Sequence, residues 1–342
     1  MINIIFVPVS GPKGVGEYMR SLILADAVNE HYPNASITFI LSRQAGYINE
    51  CPYPVRLVDD SPTKCTKAVN DIVRAIGPDV VVFDASGRAA QYKAAKAIGA
   101  KVVFISQHKK KRARAFALNR LPFIDAHCIT QMDFVDGDFS YWQKAKLALF
   151  RKPAPYFIGP VFATPDDSIL STLALPERYV FFSAGGGGHT AINHSGQLML
   201  AADELLAAAR LWQRSTGEHC VLVLGPNYPN TAPLSTAGVT VLTSLPNTQL
   251  IAVLKKARCA ILGGGAMLAQ AVALHVPSIA ISLAKDQPRR IKAMHNKNLV
   301  AVSALAANDI VKALRGGAPV VQFDCANGRE SFLNIIDRVR AP

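Results

Sequence analysis

The sequence predicts an α/β protein built from two doubly wound, Rossmann-like parallel-sheet domains that face each other across a cleft. Three observations predict it. Short apolar runs recur along the chain as continuous stretches, as strands buried on both faces of a parallel sheet require. Helical segments separate them and serve as crossovers. The same order of strand, turn and helix then restarts after a proline-rich break, and 342 residues, half of them apolar, suffice for two cores.

In the first half, strands are expected over Ile2–Val9, Ser36–Leu41, Val55–Val58, Asp79–Phe83 and Lys101–Ser106. Helices are expected from about Glu17, over Thr63–Ile76 and over Ala89–Ile98. Between about Arg112 and Lys152 the periodicity blurs. The segment ends in Lys152-Pro153-Ala154-Pro155, whose prolines break both element types, and the acidic turn Thr164-Pro165-Asp166-Asp167 follows. The first domain is therefore assigned residues 1–160 and the second 161–342. In the second half, strands are expected at Tyr179–Ser183, Cys220–Leu224, Val239–Leu242, Cys259–Leu262 and Ser278–Leu283, with a helix over roughly His194 to Thr216. Residues 260–284 carry no charge, but three glycines, Gln270, His275 and Pro277 interrupt them, so they read as buried α/β core and not a membrane span.

The net charge of +13 is unevenly placed. Residues 101–152 hold eleven Lys and Arg against four Asp, a local +7, densest at His108-Lys109-Lys110-Lys111-Arg112-Ala113-Arg114. Such a patch serves an anionic lipid surface, nucleic acid or a phosphorylated substrate. Phe116, Leu118, Leu121, Pro122 and Phe123 follow closely, so residues 108–123 are expected to touch an anionic membrane in preference to nucleic acid. The plain alternative is a solvated helix start. Six scattered cysteines without a CxxC pair point to reduced thiols and no zinc site. No basic leader precedes the strand at Ile2, so the expected location is cytoplasmic, peripheral at the inner face of the membrane.

Three glycine-rich turns follow predicted strands: Ser10-Gly11-Pro12-Lys13-Gly14-Val15-Gly16-Glu17, then Gly185–Gly188 with His189 and Thr190, then Gly263–Gly265. Glycine lets backbone amides approach an anion, and the helix N-terminus that follows favours negative charge. None fits a dinucleotide or Walker fingerprint: Met19 stands at the third glycine position after Gly14 and Gly16, and no Gly-Lys-Ser/Thr closes a turn. Turns on opposing domains suit a diphosphate that takes amides from both sides. Gln270, Asp286 and Gln287 add hydrogen-bonding side chains of a size to match sugar hydroxyls.

These features carry a resemblance. The second half resembles the donor-binding domain of glycosyltransferase family 28 and of the UDP-sugar hydrolase of pseudaminic acid synthesis. Five segments match in order: FFSAGGGGHT, VLVLGPNYP, LPNTQLIAVLKKARCAIL, GGGAMLAQAVALHVPSIAI and FDCANGRESFLNII, covering nearly all of 179–336. The first half is similar to the hydrolase-type glycine loop more loosely, through Gly14-Val15-Gly16-Glu17-Tyr18-Met19-Arg20-Ser21-Leu22. The resemblance implies a GT-B fold and a nucleotide-sugar donor carrying UDP, with no cofactor and no metal. By position, Gly186, Gly187, Gly188, His189 and Thr190, with Gly265, Ala266 and Met267, surround the diphosphate. Gly225 lies on the intervening turn, and Leu245 offers its backbone to the base. Gln270 stands where these families carry a ribose-binding glutamate. Asp286-Gln287 resembles the pair that holds donor sugar hydroxyls, and Gly14, Gly16 and Arg20 form the loop of the first domain.

Glu17 stands where the family loop carries histidine. A carboxylate there is expected to act as the base, its pKa raised toward neutrality in a closed cleft; the alternative is a carboxylate that only complements the helix dipole. Arg20 neutralises phosphate or pairs with Glu17 across one helical turn. Asp84, at a strand end, is the second base candidate, with His189 and His108 behind it. The leading expectation is a metal-independent, inverting glycosyltransferase that moves a sugar from an NDP-sugar to a hydroxyl acceptor, membrane-linked or part of a cell-envelope polysaccharide. A nucleotide-sugar hydrolase is the alternative, and a non-catalytic binding protein for sugar nucleotides or nucleic acid is the third.

Overall fold

The structure, a computed structural model, describes residues 2–10, 15–192 and 198–341. The chain forms two compact units: Met1–Val161 with Ala326–Pro342, and Phe162–Cys325. The first runs β1 (Asn3–Pro8), α1 (Gly16–His31), β2 (Ser36–Ser42), β3 (Val55–Val58), α2 (Thr66–Ile76), β4 (Val80–Asp84), α3 (Ala89–Ala97), β5 (Lys101–Ser106), α4 (Lys109–Ala115), β6 (Ala126–Ile129), α5 (Asp133–Asp136), α6 (Tyr141–Leu149) and β7 (Tyr156–Phe157). Its sheet has the order β3-β2-β1-β4-β5-β6-β7, parallel throughout. Ile4–Val7 and Val80–Phe83 are fully buried, as central strands covered by helices on both faces must be. The strand order reverses between β1 and β4, and Pro8 pairs with Asp84 there. Open α/β sheets bind ligands at such a switch point, at the carboxyl ends of the strands.

The blurred stretch of sequence is α4 to β7. Its elements are short, and the four-residue β6 has His127 inside it, so no period had room to emerge. The apolar residues expected at a membrane here are mostly core. Phe116 and Leu121 are buried with Leu147, and Phe123 packs against the main core of the unit. Of the large ones only Leu118, 56 % exposed, faces out. Among the described residues no helix is long and apolar enough to cross a membrane.

The second unit runs α7 (Ser168–Thr172), β8 (Tyr179–Ser183), β9 (Thr190–Ile192), β10 (Leu198–Leu200), α8 (Ala201–Thr216), β11 (His219–Val223), β12 (Val239–Leu242), α9 (Asn247–Lys256), β13 (Cys259–Gly263), α10 (Ala266–Ala273), β14 (Ser278–Ile281), α11 (Gln287–Asn296), β15 (Ala301–Ser303) and α12 (Ala307–Gly316). Its parallel sheet has the order β12-β11-β8-β13-β14-β15, with the switch point between β8 and β13. The helix expected from His194 begins instead at Ala201. An antiparallel hairpin of β9 and β10 comes first, and His194 lies outside the described residues.

The last helix, α13 (Gly328–Arg340), returns to the first unit, where the sequence division had placed 161–342 in the second. Its Phe332 is fully buried, 6.4 Å from Phe6 between ring centroids. Gly328 N donates to Pro160 O at 2.9 Å, and Arg329 Nη2 to Glu30 Oε2 at 2.6 Å. An amphipathic helix needs a sheet or helix to cover, and its own pattern does not say which one.

Candidate functional site

Four titratable side chains meet at the switch point of the first unit. α1 opens at Gly16, so Glu17 stands on its first turn, where unpaired helix amides favour a carboxylate. Further along, Arg20 and Ser21 are buried, and both reach Asp84, the fully buried last residue of β4. Arg20 donates from Nε to Asp84 Oδ2 at 2.8 Å and from Nη2 to Oδ1 at 2.5 Å, and Ser21 Oγ lies 3.3 Å from Oδ2. This is a bidentate, charge-assisted pair in an apolar setting. Beyond Asp84 the chain passes through Ala85 at φ +52°, a left-handed conformation that costs a non-glycine residue roughly 1–2 kcal/mol. Burial pushes the Asp84 carboxyl up, and the Arg20 charge pulls against it.

Glu17 sits differently. Its side chain is 22 % exposed and forms an ion pair with Lys111 of α4. Partial burial acts to raise its pKa, but the charges of Arg20 and Lys111 outweigh this and hold the carboxyl below the usual range. Two expectations change here. The base candidate is not raised toward neutrality, and Arg20 pairs with Asp84, not with Glu17. Both Asp84 oxygens are engaged, so Asp84 anchors Arg20 instead of offering a free base. Lys111, read from sequence as part of a surface patch, belongs to the site. Arg112 is buried and donates to the Gly137 and Asp136 carbonyls, so it is no surface cation either. Gly16 has open space around its Cα, whereas Gly14 lies outside the described residues.

In the second unit a glycine turn leaves each strand at the switch point. After β8 the turn at Gly185–Gly188 packs against the one after β11. A Cβ on Gly225 (φ +100°) would lie 2.2 Å from Gly185 O, and one on Gly187 (φ +88°) would lie 2.6 Å from Leu224 O. Glycine at 187 and 225 is thus demanded by two backbones in contact, whatever binds nearby. Asn227 N donates to Gly186 O at 2.8 Å and fixes the turn. Gly188 and Thr190 are exposed, and the half-buried His189 accepts from Ala201 N, at the start of α8, at 2.9 Å through its carbonyl.

After β13, Gly265 caps α10, and a Cβ there would meet nothing within 4 Å. Ala266 is exposed, and Met267 and Gln270 are half-buried on the same helix. The accessible backbone of this turn therefore lies at 265–267, on a helix N-terminus. Leu245 is half-buried in the turn between β12 and α9. The Asp-Gln pair divides: Gln287 is buried, and its Oε1 accepts from Gly264 N at 3.0 Å and Leu283 N at 2.8 Å, clipping two strand ends together. Asp286 is half exposed and holds Arg290 at 2.5 Å. Of the two, Asp286 is the one with an exposed side chain.

An open depression of about 880 Å³ lies at the other end of this sheet, by Arg178, His219 and Arg258. These residues stand at or before the starts of β8, β11 and β13, away from the glycine turns, and Arg258 is locked on Glu218 by two hydrogen bonds of 2.5 and 2.7 Å. Among the described residues, no three His, Cys, Asp or Glu side chains converge as a metal site would require.

With two parallel-sheet α/β units, the chain is similar in fold to solved GT-B proteins over almost its whole length. The glycosyltransferase SnogD from Streptomyces nogalater is 16 % identical, with 99 % of this chain and 95 % of that chain covered and a TM-score of 0.61. The spinosyn rhamnosyltransferase SpnG, solved with thymidine diphosphate, is 11 % identical over 99 % of this chain and 96 % of that one, with a TM-score of 0.61. The UDP-GlcNAc 2-epimerase from Methanocaldococcus jannaschii is 10 % identical over 98 % and 100 %, with a TM-score of 0.57. At such identities the likeness is one of fold. No protein-family model matches the chain, and no curated protein does.

Proposed function

We propose that this protein is a glycosyltransferase that moves a sugar from a nucleoside-diphosphate donor, UDP-linked, to a hydroxyl acceptor, with inversion and without a metal ion. The observation that carries the reading is Glu17: an ionised, partly exposed carboxylate at a switch point, set between Lys111 and the anchored Arg20. Inverting transfer needs one base. It takes the acceptor proton as the new glycosidic bond forms, while the bond from the sugar to the diphosphate breaks and its electron pair leaves with the phosphate oxygen. In the second unit the main chain of Gly186, Gly188 and Thr190, with that of Gly265, Ala266 and Met267, would receive the departing charge. Gly187 and Gly225 hold these turns in shape. Leu245 would meet the base, Gln270 the ribose and Asp286 the sugar, with Gln287 framing the loop from within. The matched structures named as glycosyltransferases support the class, and the five family-like segments support a UDP donor and a membrane-linked or cell-envelope acceptor.

The second reading, a nucleotide-sugar hydrolase, keeps the same base and places water where the acceptor would stand; the Gly14–Arg20 loop favours it. One assay separates them. With a panel of UDP- and TDP-sugars, nucleoside diphosphate is expected only when an acceptor is present. Equal release without acceptor rejects transfer in favour of hydrolysis, and no release across the panel rejects both. Glu17→Gln is expected to lower kcat by roughly 10²–10⁴-fold with donor KM little changed.

A further inference from the structure

The outward face of α6 is apolar. Tyr141, Trp142 and Leu149 are 77 %, 73 % and 72 % exposed. At about 100° per residue, positions 141, 142, 145, 148 and 149 share one stripe, and Ala145 and Ala148 are exposed as well. Leu147, on the other side, is buried with Phe116 and Leu121. The helix therefore has an apolar side for the core and a second apolar side for its surroundings. Other large apolar residues as exposed as these, Leu198, Leu234 and Val320, stand singly on separate segments and call for no explanation. Lys146 Nζ donates to Phe116 O at 3.3 Å, which ties α6 to the turn that carries exposed Leu118.

The charge around this face is mainly positive, although Lys144 is paired with the exposed Asp138 at 2.6 Å. Lys109, Lys110 and Arg114 on α4, Lys144 on α6 and Arg151 just beyond it are all exposed, within the segment whose local balance is +7. Two copies meeting through such faces would repel. We infer that α6, with the turn after α4, is a docking surface for a bilayer rich in anionic headgroups. Trp142, Tyr141 and Leu149 enter the boundary between headgroups and acyl chains, and the surrounding cations meet lipid phosphates. Tyr and Trp suit that depth because each joins an apolar ring to a polar handle. The expected membrane contact thus moves from the apolar residues of 108–123, which are mostly core, to a helix that the sequence left unread.

The chain itself carries the probe. It has two tryptophans, and Trp212 is buried, so an emission change on vesicle contact reports Trp142. The full chain is expected to float with phosphatidylcholine vesicles containing about 30 % phosphatidylglycerol and not with phosphatidylcholine alone, and to release as salt rises. Trp142 emission should shift to the blue and be quenched by brominated acyl chains. The triple variant Tyr141→Ser, Trp142→Ser, Leu149→Ser should bind about tenfold more weakly or worse, with an unchanged melting temperature. Three results overturn the proposal: no flotation with anionic vesicles; flotation with Trp142 emission unmoved and the triple variant binding equally well; or a concentration-dependent dimer that the triple variant abolishes while vesicles are ignored. Since the readout is lipid binding, it stands or falls apart from the sugar-transfer assay.

Discussion

Lys111 and Glu17 lie far apart in sequence and form one ion pair in the fold. Because Arg20 and Lys111 depress the Glu17 pKa, the ionised form the proposed reaction needs is present above that folded pKa and is lost as pH falls through it. Removing a neighbouring cation stabilises the protonated form relative to the carboxylate and raises that pKa. Lys111→Met is therefore expected to move the acid limb of the kcat/KM profile to higher pH. An unmoved limb, measured beside wild type at constant ionic strength, means that Glu17 does not set it. The charged residues of this cluster were readable one at a time, since Glu17 opens a helix after a glycine turn and Asp84 ends an apolar strand. Their partners were not. A one-dimensional pattern shows that Arg20 must be neutralised if buried, yet it leaves both Glu17 and Asp84 open, and only the sheet register brings Asp84 to it. Gln287 illustrates the same gap: the residue was noticed, but not that its amide oxygen is spent on two backbone N–H groups.

The glycine turns were legible as turns, though not for what each glycine does. Gly187 and Gly225 permit two loops to touch, whereas Gly265 borders open space on a helix cap. The two kinds should separate on substitution. Gly187→Ala combines a positive φ with a backbone collision, and is expected to cost about 1–3 kcal/mol in denaturant unfolding. Gly265→Ala should stay within about 0.5 kcal/mol of wild type and instead raise the donor KM, because its methyl group projects where a diphosphate is proposed to lie. A Gly265→Ala enzyme with unchanged donor KM would move the diphosphate away from α10. Strands of five or six consecutive apolar residues were read with nearly the bounds they have. Short or composite pieces were left unread, among them β6, β15, the β9–β10 hairpin and α6 with its two apolar sides, and so were the helices α11 and α12.

At the scale of the molecule, the doubled strand–helix grammar announced two sheets, and both formed with the reversal of strand order that locates a site. The path of the chain between units was not announced. Residues after Ala326 complete the first unit, and the ring of Phe332 lies against Phe6. Phe332→Ala is expected to destabilise the first unit by about 3–5 kcal/mol. Amide exchange should then quicken in β1 and β6 while β8 and β11 keep their protection; equal loss in all four would show that the units unfold as one. The first unit is thus discontinuous, with the second inserted between Val161 and Ala326. During synthesis its closing piece arrives late: at ribosomal speed, on the order of ten to thirty seconds separate the emergence of β7 from that of α13. Through that interval the nascent lobe waits with the slot for Phe332 unfilled, a natural stopping place for a chaperone, while the strands of the inserted lobe emerge one after another.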